Sequence, residues 1–147
     1  MATTISATVN STTTALFQSG QPFNTTFTGN VSKSFVLPFT SVQVTKLFFN
    51  TYASGSPTSI DLTSLTDAYG NPISFATIRH IMLVNNDATN SVTVGGGTNG
   101  LVAALPPIIG GGAVNLTTTL AVDGTHKILL ITPAAGTPSV DVVVMGV

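Results

Sequence analysis

Three groups of residues have types and spacings that chemistry could use. "VTVGGGTNG" (92–100) places Gly95-Gly96-Gly97 directly after an apolar stretch, where a phosphate-cradling loop would lie. His126 follows Asp123 by three positions, close enough for an acid to orient a base. "NNDATN" (85–90) gathers Asn85, Asn86, Asp87 and Asn90 as oxygen donors for a cation.

None of the three meets the requirements of its chemistry. A phosphate site needs its glycines between a strand and a helix whose N-terminus faces the anion, and a P-loop adds Lys-Ser/Thr. "GGGTNGLVAALPPIIGGG" contains no Lys, and Pro106-Pro107 leave room for at most one helical turn through Leu101 to Leu105. Glycine tolerates positive φ and close backbone approach, so residues 95–97 and 110–112 are expected to bracket a long connection. Calcium sites usually gather several carboxylates, whereas Asp87 stands alone among amides that favour a polar turn.

His80 and His126 each begin an apolar strand, where a packed or partly exposed imidazole is commoner than a zinc ligand. No Gly-x-Ser-x-Gly elbow accompanies Asp123 and His126, and five scattered Asp with no Glu offer no paired carboxylates for glycoside hydrolysis. The expectation is a protein that is not an enzyme, with no catalytic, cofactor-binding or metal-binding residues and no cofactor. The one cluster suited to a sugar is Tyr52 or Tyr69 beside Asp67 and Asn71.

Charge is scarce throughout. Only 6% of the 147 residues are charged, against roughly a quarter in ordinary globular proteins. The basic residues Lys33, Lys46, Arg79 and Lys127 are far apart, and a nucleic-acid backbone needs a cationic patch to displace its counterions. No nucleic-acid partner is expected. A hydrophobic fraction of 43% with net charge −1 argues against disorder and leaves little charge to keep copies apart. Such a chain is expected inside an assembly.

No run approaches the ~18 apolar residues of a membrane span, and "MATTISATVNSTTTA" lacks the basic and apolar regions of a signal peptide. Neither a membrane partner nor ordinary export is expected. Thr (25), Ser (13) and Asn (10) supply most of the polar surface. That surface fits a particle-borne protein made in a host cytoplasm and released by lysis.

The elements that position these residues alternate with period two. Thr3 to Val9, "QVTKLFFNTY" (43–52), "SIDLTSL" (59–65), "HIMLVN", "SVTVG", "AVNLTTT", "HKILLIT" and "SVDVVVMG" read as short strands separated by Gly, Pro or polar turns. The predicted fold is all-β: an antiparallel, jelly-roll-like β-sandwich of about eight strands with at most one or two short helical turns. One such turn is placed at Phe75 to Arg79, with Ser74 as its cap.

Composition divides the chain into a Thr-rich strand or arm over 1–30 and a single sandwich domain over 31–147. All eight Phe and both Tyr fall at or before Phe75, and the strands beyond are aliphatic. Phe17, Phe23, Phe27, Phe35, Phe39, Phe48 and Phe49 read as core, with some of those in 17–27 open to a subunit interface instead. Candidate interface residues are Ile5, Val9, Leu16, Phe17, Phe23 and Phe27 near the N-terminus. Leu101, Val102, Leu105, Ile108 and Ile109 are added as apolar residues of an exposed loop.

The order "DLTSLTDAYGNPISFATIRHIMLVNN", a polar turn, "VTVGGG", a long loop and "HKILLITPAAGTPSVDVVVMGV" resembles small β-rich structural proteins of tailed bacteriophages over residues 58–147. The resemblance implies a virion component, a capsid decoration (cement) or minor capsid protein. Its partners would be its own copies, with a trimer favoured, and other virion proteins such as the major capsid protein. The alternative is a carbohydrate- or host-receptor-binding module of a phage tail or fibre.

Overall fold

The structure, a computed structural model, describes residues 7–18, 26–37, 43–67 and 70–147. The chain forms two compact units, Met1–Thr40 and Ser41–Val147. The first unit therefore extends past the thirty residues that composition sets apart.

In the first unit β1 (Ala7–Gln18) and β2 (Thr26–Leu37) pair antiparallel as a two-stranded ribbon, with Ala7 opposite Leu37 and Gln18 opposite Thr26. Twelve residues per strand is long for so narrow a sheet. Thr is its commonest residue, and β-branched residues suit extended backbone.

Nine strands build the second unit: β3 (Lys46–Ala53), β4 (Thr58–Asp61), β5 (Leu65–Thr66), β6 (Pro72–Ile73), β7 (Thr77–Asn85), β8 (Val92–Val94), β9 (Ala113–Ala121), β10 (Ile128–Pro133) and β11 (Ser139–Gly146). One sheet has the order β3-β11-β7-β9 and the other β4-β10-β8, all pairings being antiparallel, while β5 and β6 form a small hairpin. Apart from that hairpin the chain changes sheet at every step. This is the strand order of an eight-stranded jelly roll that lacks its fifth strand, the one that would flank β8.

The loop of residues 95–112 occupies that position. Val92 and Ile108 exchange backbone hydrogen bonds at 3.0 and 2.7 Å, and Leu105 N–H donates to Val94 O at 2.8 Å. Between them Pro106 and Pro107 carry no N–H, so the pairing stops at a single bridge. Two prolines thus turn a strand into a loop.

Both sheets contribute to one core. Phe48, Ile81, Leu83, Val142 and Val144 from the larger sheet meet Ile60, Val94, Leu129 and Ile131 from the smaller, each at most 4% exposed. Aromatic Phe48 and Phe75 enter among aliphatic side chains, as the distribution of residue types along the chain foretells. Phe49 differs, standing 54% exposed on the opposite face of β3.

The helical turn expected at Phe75 to Arg79 is absent, and Thr77 onward is strand. Phe75 N–H bonds Leu62 O, while Ala76 and Thr77 N–H both reach Val147 O, so these donors serve neighbouring strands rather than a helix. No helix occurs among the described residues.

Candidate functional site

The glycine run closes on itself. Gly95, Gly96 and Gly97 have φ of 93°, 71° and 76°, a left-handed stretch that side chains oppose. Gly95 N–H donates to Leu130 O and Gly96 N–H to Val102 O, both at 2.8 Å. A Cβ on Gly95 would lie 2.4 Å from Ala103 O. With two of these N–H groups spent on carbonyls and the chain folded against it, the run is a packed turn and offers no anion cradle.

Asp87 is similarly occupied. Its Oδ1 accepts Thr89 N–H at 2.8 Å and Asn90 N–H at 2.6 Å, and these bonds hold its pKa down to about 2. Asn85, fully buried, directs its Nδ2 at Asn90 O, Ile108 O and Ile109 O, within 2.8 to 3.1 Å. Asn85 thus ties the 85–90 turn to the loop, while Asn90 donates from Nδ2 to the Asp87 carboxylate at 3.2 Å. Among the described residues no three His, Cys, Asp or Glu converge.

Asp123 and His126 share an exposed turn. The carboxylate accepts Thr125 N–H at 2.7 Å and His126 N–H at 2.8 Å, and both Asp123 and the Thr125 hydroxyl lie beside the same imidazole nitrogen, Nδ1. A triad places the acid on one ring nitrogen and the nucleophile on the other. This arrangement is a turn motif. Tyr52 packs against the core beside a crevice with room for about one water. Asp67 accepts Asn71 N–H at 2.8 Å within its own turn, and Tyr69 lies outside the described residues.

The larger sheet has a second face, away from the core. By register, Leu47, Met145, His80 and Thr117 lie side by side across it, followed by Phe49, Val143, Met82 and Asn115, then Thr51, Asp141, Val84 and Ala113. Leu47 is 46% exposed and Phe49 54%. Met82, Val84 and Val143 are partly exposed, while Met145 and His80 are buried. The apolar surface runs over β3, β11 and β7 and is bordered by Thr117 and Asn115 of β9; contiguous exposed apolar surface of this kind marks interaction sites.

A β-bulge against β11 brings His80 to this face: the two steps from Ile78 to His80 lie opposite the single step from Gly146 to Met145, and Ile78 and Ile81 are both buried in the core. Burial pushes the His80 pKa down, and its Nδ1 lies 3.0 Å from the Thr117 hydroxyl. Arg79, the inserted residue, donates from Nη1 to the Thr119 hydroxyl at 2.6 Å. In the third row the Asp141 carboxylate accepts the Thr51 hydroxyl at 2.6 Å; this bond and one from Asn86 hold its pKa below the usual range.

Of the expected interface residues, Val9, Leu16, Phe17 and Phe27 lie in the β1–β2 pair, as does the core candidate Phe35. Ile5 and Phe23, like the core candidate Phe39, lie outside the described residues. In the loop the expectation of exposure is corrected: Leu101 and Ile108 are 5% and 4% exposed and belong to the unit's own core. Val102 packs partly against that core, Leu105 is partly exposed, and Ile109 stands 70% exposed. The outer face of the larger sheet is absent from the expected set. Its signal was Leu47-Phe48-Phe49, three consecutive large apolar residues in a strand, which period two must divide between opposite faces.

No protein-family model matches the chain, and no curated protein or solved structure does either.

Proposed function

We propose that this chain is a structural component of a bacteriophage virion, a capsid decoration (cement) or minor capsid protein that acts through contacts with its own copies and other virion subunits. The observation carrying this reading is the apolar outer face of the larger sheet, where Leu47 and Phe49 stand exposed. A two-stranded ribbon is marginal in water and gains stability from further strands or packing. An added or exchanged strand pair is a common means of joining subunits.

The low charge supports the same reading. Desolvating Thr or Ser at a contact costs far less than desolvating Lys or Glu, so a hydroxyl-rich surface assembles readily. The polar side chains that could have done chemistry are engaged in turns. The sugar-binding alternative loses support because Tyr52 is packed against the core and Asp67 is bonded within its own hairpin.

The test is quantitative mass spectrometry of sedimented phage particles from the source lysate. The expected result is this chain at a copy number that is a multiple set by the particle's symmetry. Recovery only from the soluble, particle-free fraction would overturn the virion assignment.

A further inference from the structure

We propose that the outer face of the β3-β11-β7-β9 sheet binds the same face of a second copy about a two-fold axis, with Arg79 of each copy paired to Asp141 of the other. The inference rests on reading the chain as a self-assembling subunit; it does not depend on which particle the assembly belongs to.

Charge selects a second copy as the occupant. The cation of this face is Arg79, beside His80 on β7, whose Nη1 bonds the Thr119 hydroxyl at 2.6 Å. Thr119 shares the outward side of β9 with Thr117, because side chains alternate along a strand. The acid is Asp141, at the other end of the face in the row of Thr51 and Val84. Among the described residues the ion pairs are His126–Asp123 and Lys127–Asp61, which leaves Arg79 and Asp141 each without an opposite charge. Covering either one with an apolar partner would be costly. A face with a cation at one end and an acid at the other is complementary to its own copy turned end for end.

The rows agree with this symmetry. An axis lying in the interface across the strands, over Phe49, Val143 and Met82, keeps that apolar row on itself and exchanges the two end rows. Asp141 of one copy then faces the His80 end of the other. A crossing of roughly 30°, ordinary for stacked sheets, displaces the end rows sideways by about one strand spacing, ~4.8 Å. That is the spacing between β11, which carries Asp141, and β7, which carries Arg79. Leu47 and Phe49, exposed in the single chain, are covered.

The area is that of a reversible contact. Four strands of eight or nine residues present a face of about 28 by 19 Å, on the order of 500 Å². Two such faces bury about 1,000 Å² together, the size at which specific interfaces begin. A contact between identical faces closes at two copies.

The experiment is charge reversal in the full chain, read by sedimentation equilibrium. Arg79→Asp and Asp141→Lys each bring like charges together twice in the pair, so each protein alone should associate about tenfold or more weakly than the original chain. Mixed one to one, the two variants restore both ion pairs and should associate to within about threefold of the original. Thermal melts of both variants separate misfolding from lost association. Because the chain has no cysteine, Val143→Cys, on the axis, should be joined to its counterpart in a second copy by a short bismaleimide. Thr98→Cys, in an exposed turn away from this sheet, should not. That cross-link leaves both charges in place and decides the matter even if a reversal misfolds. A chain that stays monomeric, a mixture that does not regain association, or equal cross-linking of the two cysteine variants would overturn the proposal. Failure of the virion reading alone would leave all these results unchanged.

Discussion

The Thr51 hydroxyl donates to Asp141 Oδ1 at 2.6 Å across the β3–β11 pair, fixing a carboxylate on the apolar outer face of the sheet. A hydrogen bond to the ionised form favours that form, which is why the Asp141 pKa lies below the ordinary 3.8. Thr51→Val removes the donor and keeps the shape. The Asp141 pKa should rise, followed by the pH titration of its carboxyl carbon in NMR; an unchanged midpoint would mean that Asn86 alone holds the charge.

Asn85 is completely buried, with three backbone carbonyls around its Nδ2. Asn85→Asp changes almost nothing in size and replaces a donor with an anion facing carbonyl oxygens. The expected loss is about 3 kcal/mol or more in urea denaturation. A loss under about 1 kcal/mol would show that Asn85 does not hold the 108–109 segment in place.

Gly95 combines a φ of 93° with a Cβ position 2.4 Å from Ala103 O. Gly124 has neither restriction, with nothing within 4 Å of its Cβ position. Gly95→Ala should therefore cost about 2 kcal/mol or more, and Gly124→Ala less than about 0.5 kcal/mol. Equal effects on the melting temperature would contradict the packed-turn account of the glycine run.

Acid should act in two stages. The His80 pKa is lowered from 6.5 by burial, so the folded state binds this proton less readily than the unfolded chain does. Stability conferred by the neutral imidazole is full above about pH 6.5 and declines as pH falls below it. Asp61 is lowered from 3.8 to about 2, first by the Lys127 ammonium at 2.8 Å and then by Thr63. Its share is present above 3.8 and is lost as pH falls toward about 2. In chemical denaturation across pH, His80→Gln should remove the upper stage, and Asp61→Asn should shrink the lower one, to which Asp87, Asp123 and Asp141 also contribute; a variant that leaves its stage unchanged refutes that assignment.

The all-β sandwich was legible because alternation in segments such as "SVDVVVMG" divides one buried face cleanly from the other. The segment around "IRHI" was not, and the reason is physical. Ile78 and Ile81 are three apart, a spacing that suits one turn of helix or a strand with an inserted residue, and only the neighbouring strands decide between them. Thr77, bonded to Val147, makes it a strand.

The loop of 95–112 misled for a related reason. Pro106-Pro107 and two glycine runs read as an exposed connection, yet the backbone on either side still pairs with Val92 and Val94, drawing Ile108 into the core. The outer sheet face was hidden because β3 is apolar on both sides. Alternation identifies a face only when the other one is polar.

Self-association is the central claim, and the solution mass of the full chain tests it most directly. Sedimentation equilibrium at neutral pH, from low to high micromolar concentration, should give a species that is a whole multiple of the 15.0 kDa chain. A single 15.0 kDa species over the whole range would contradict it.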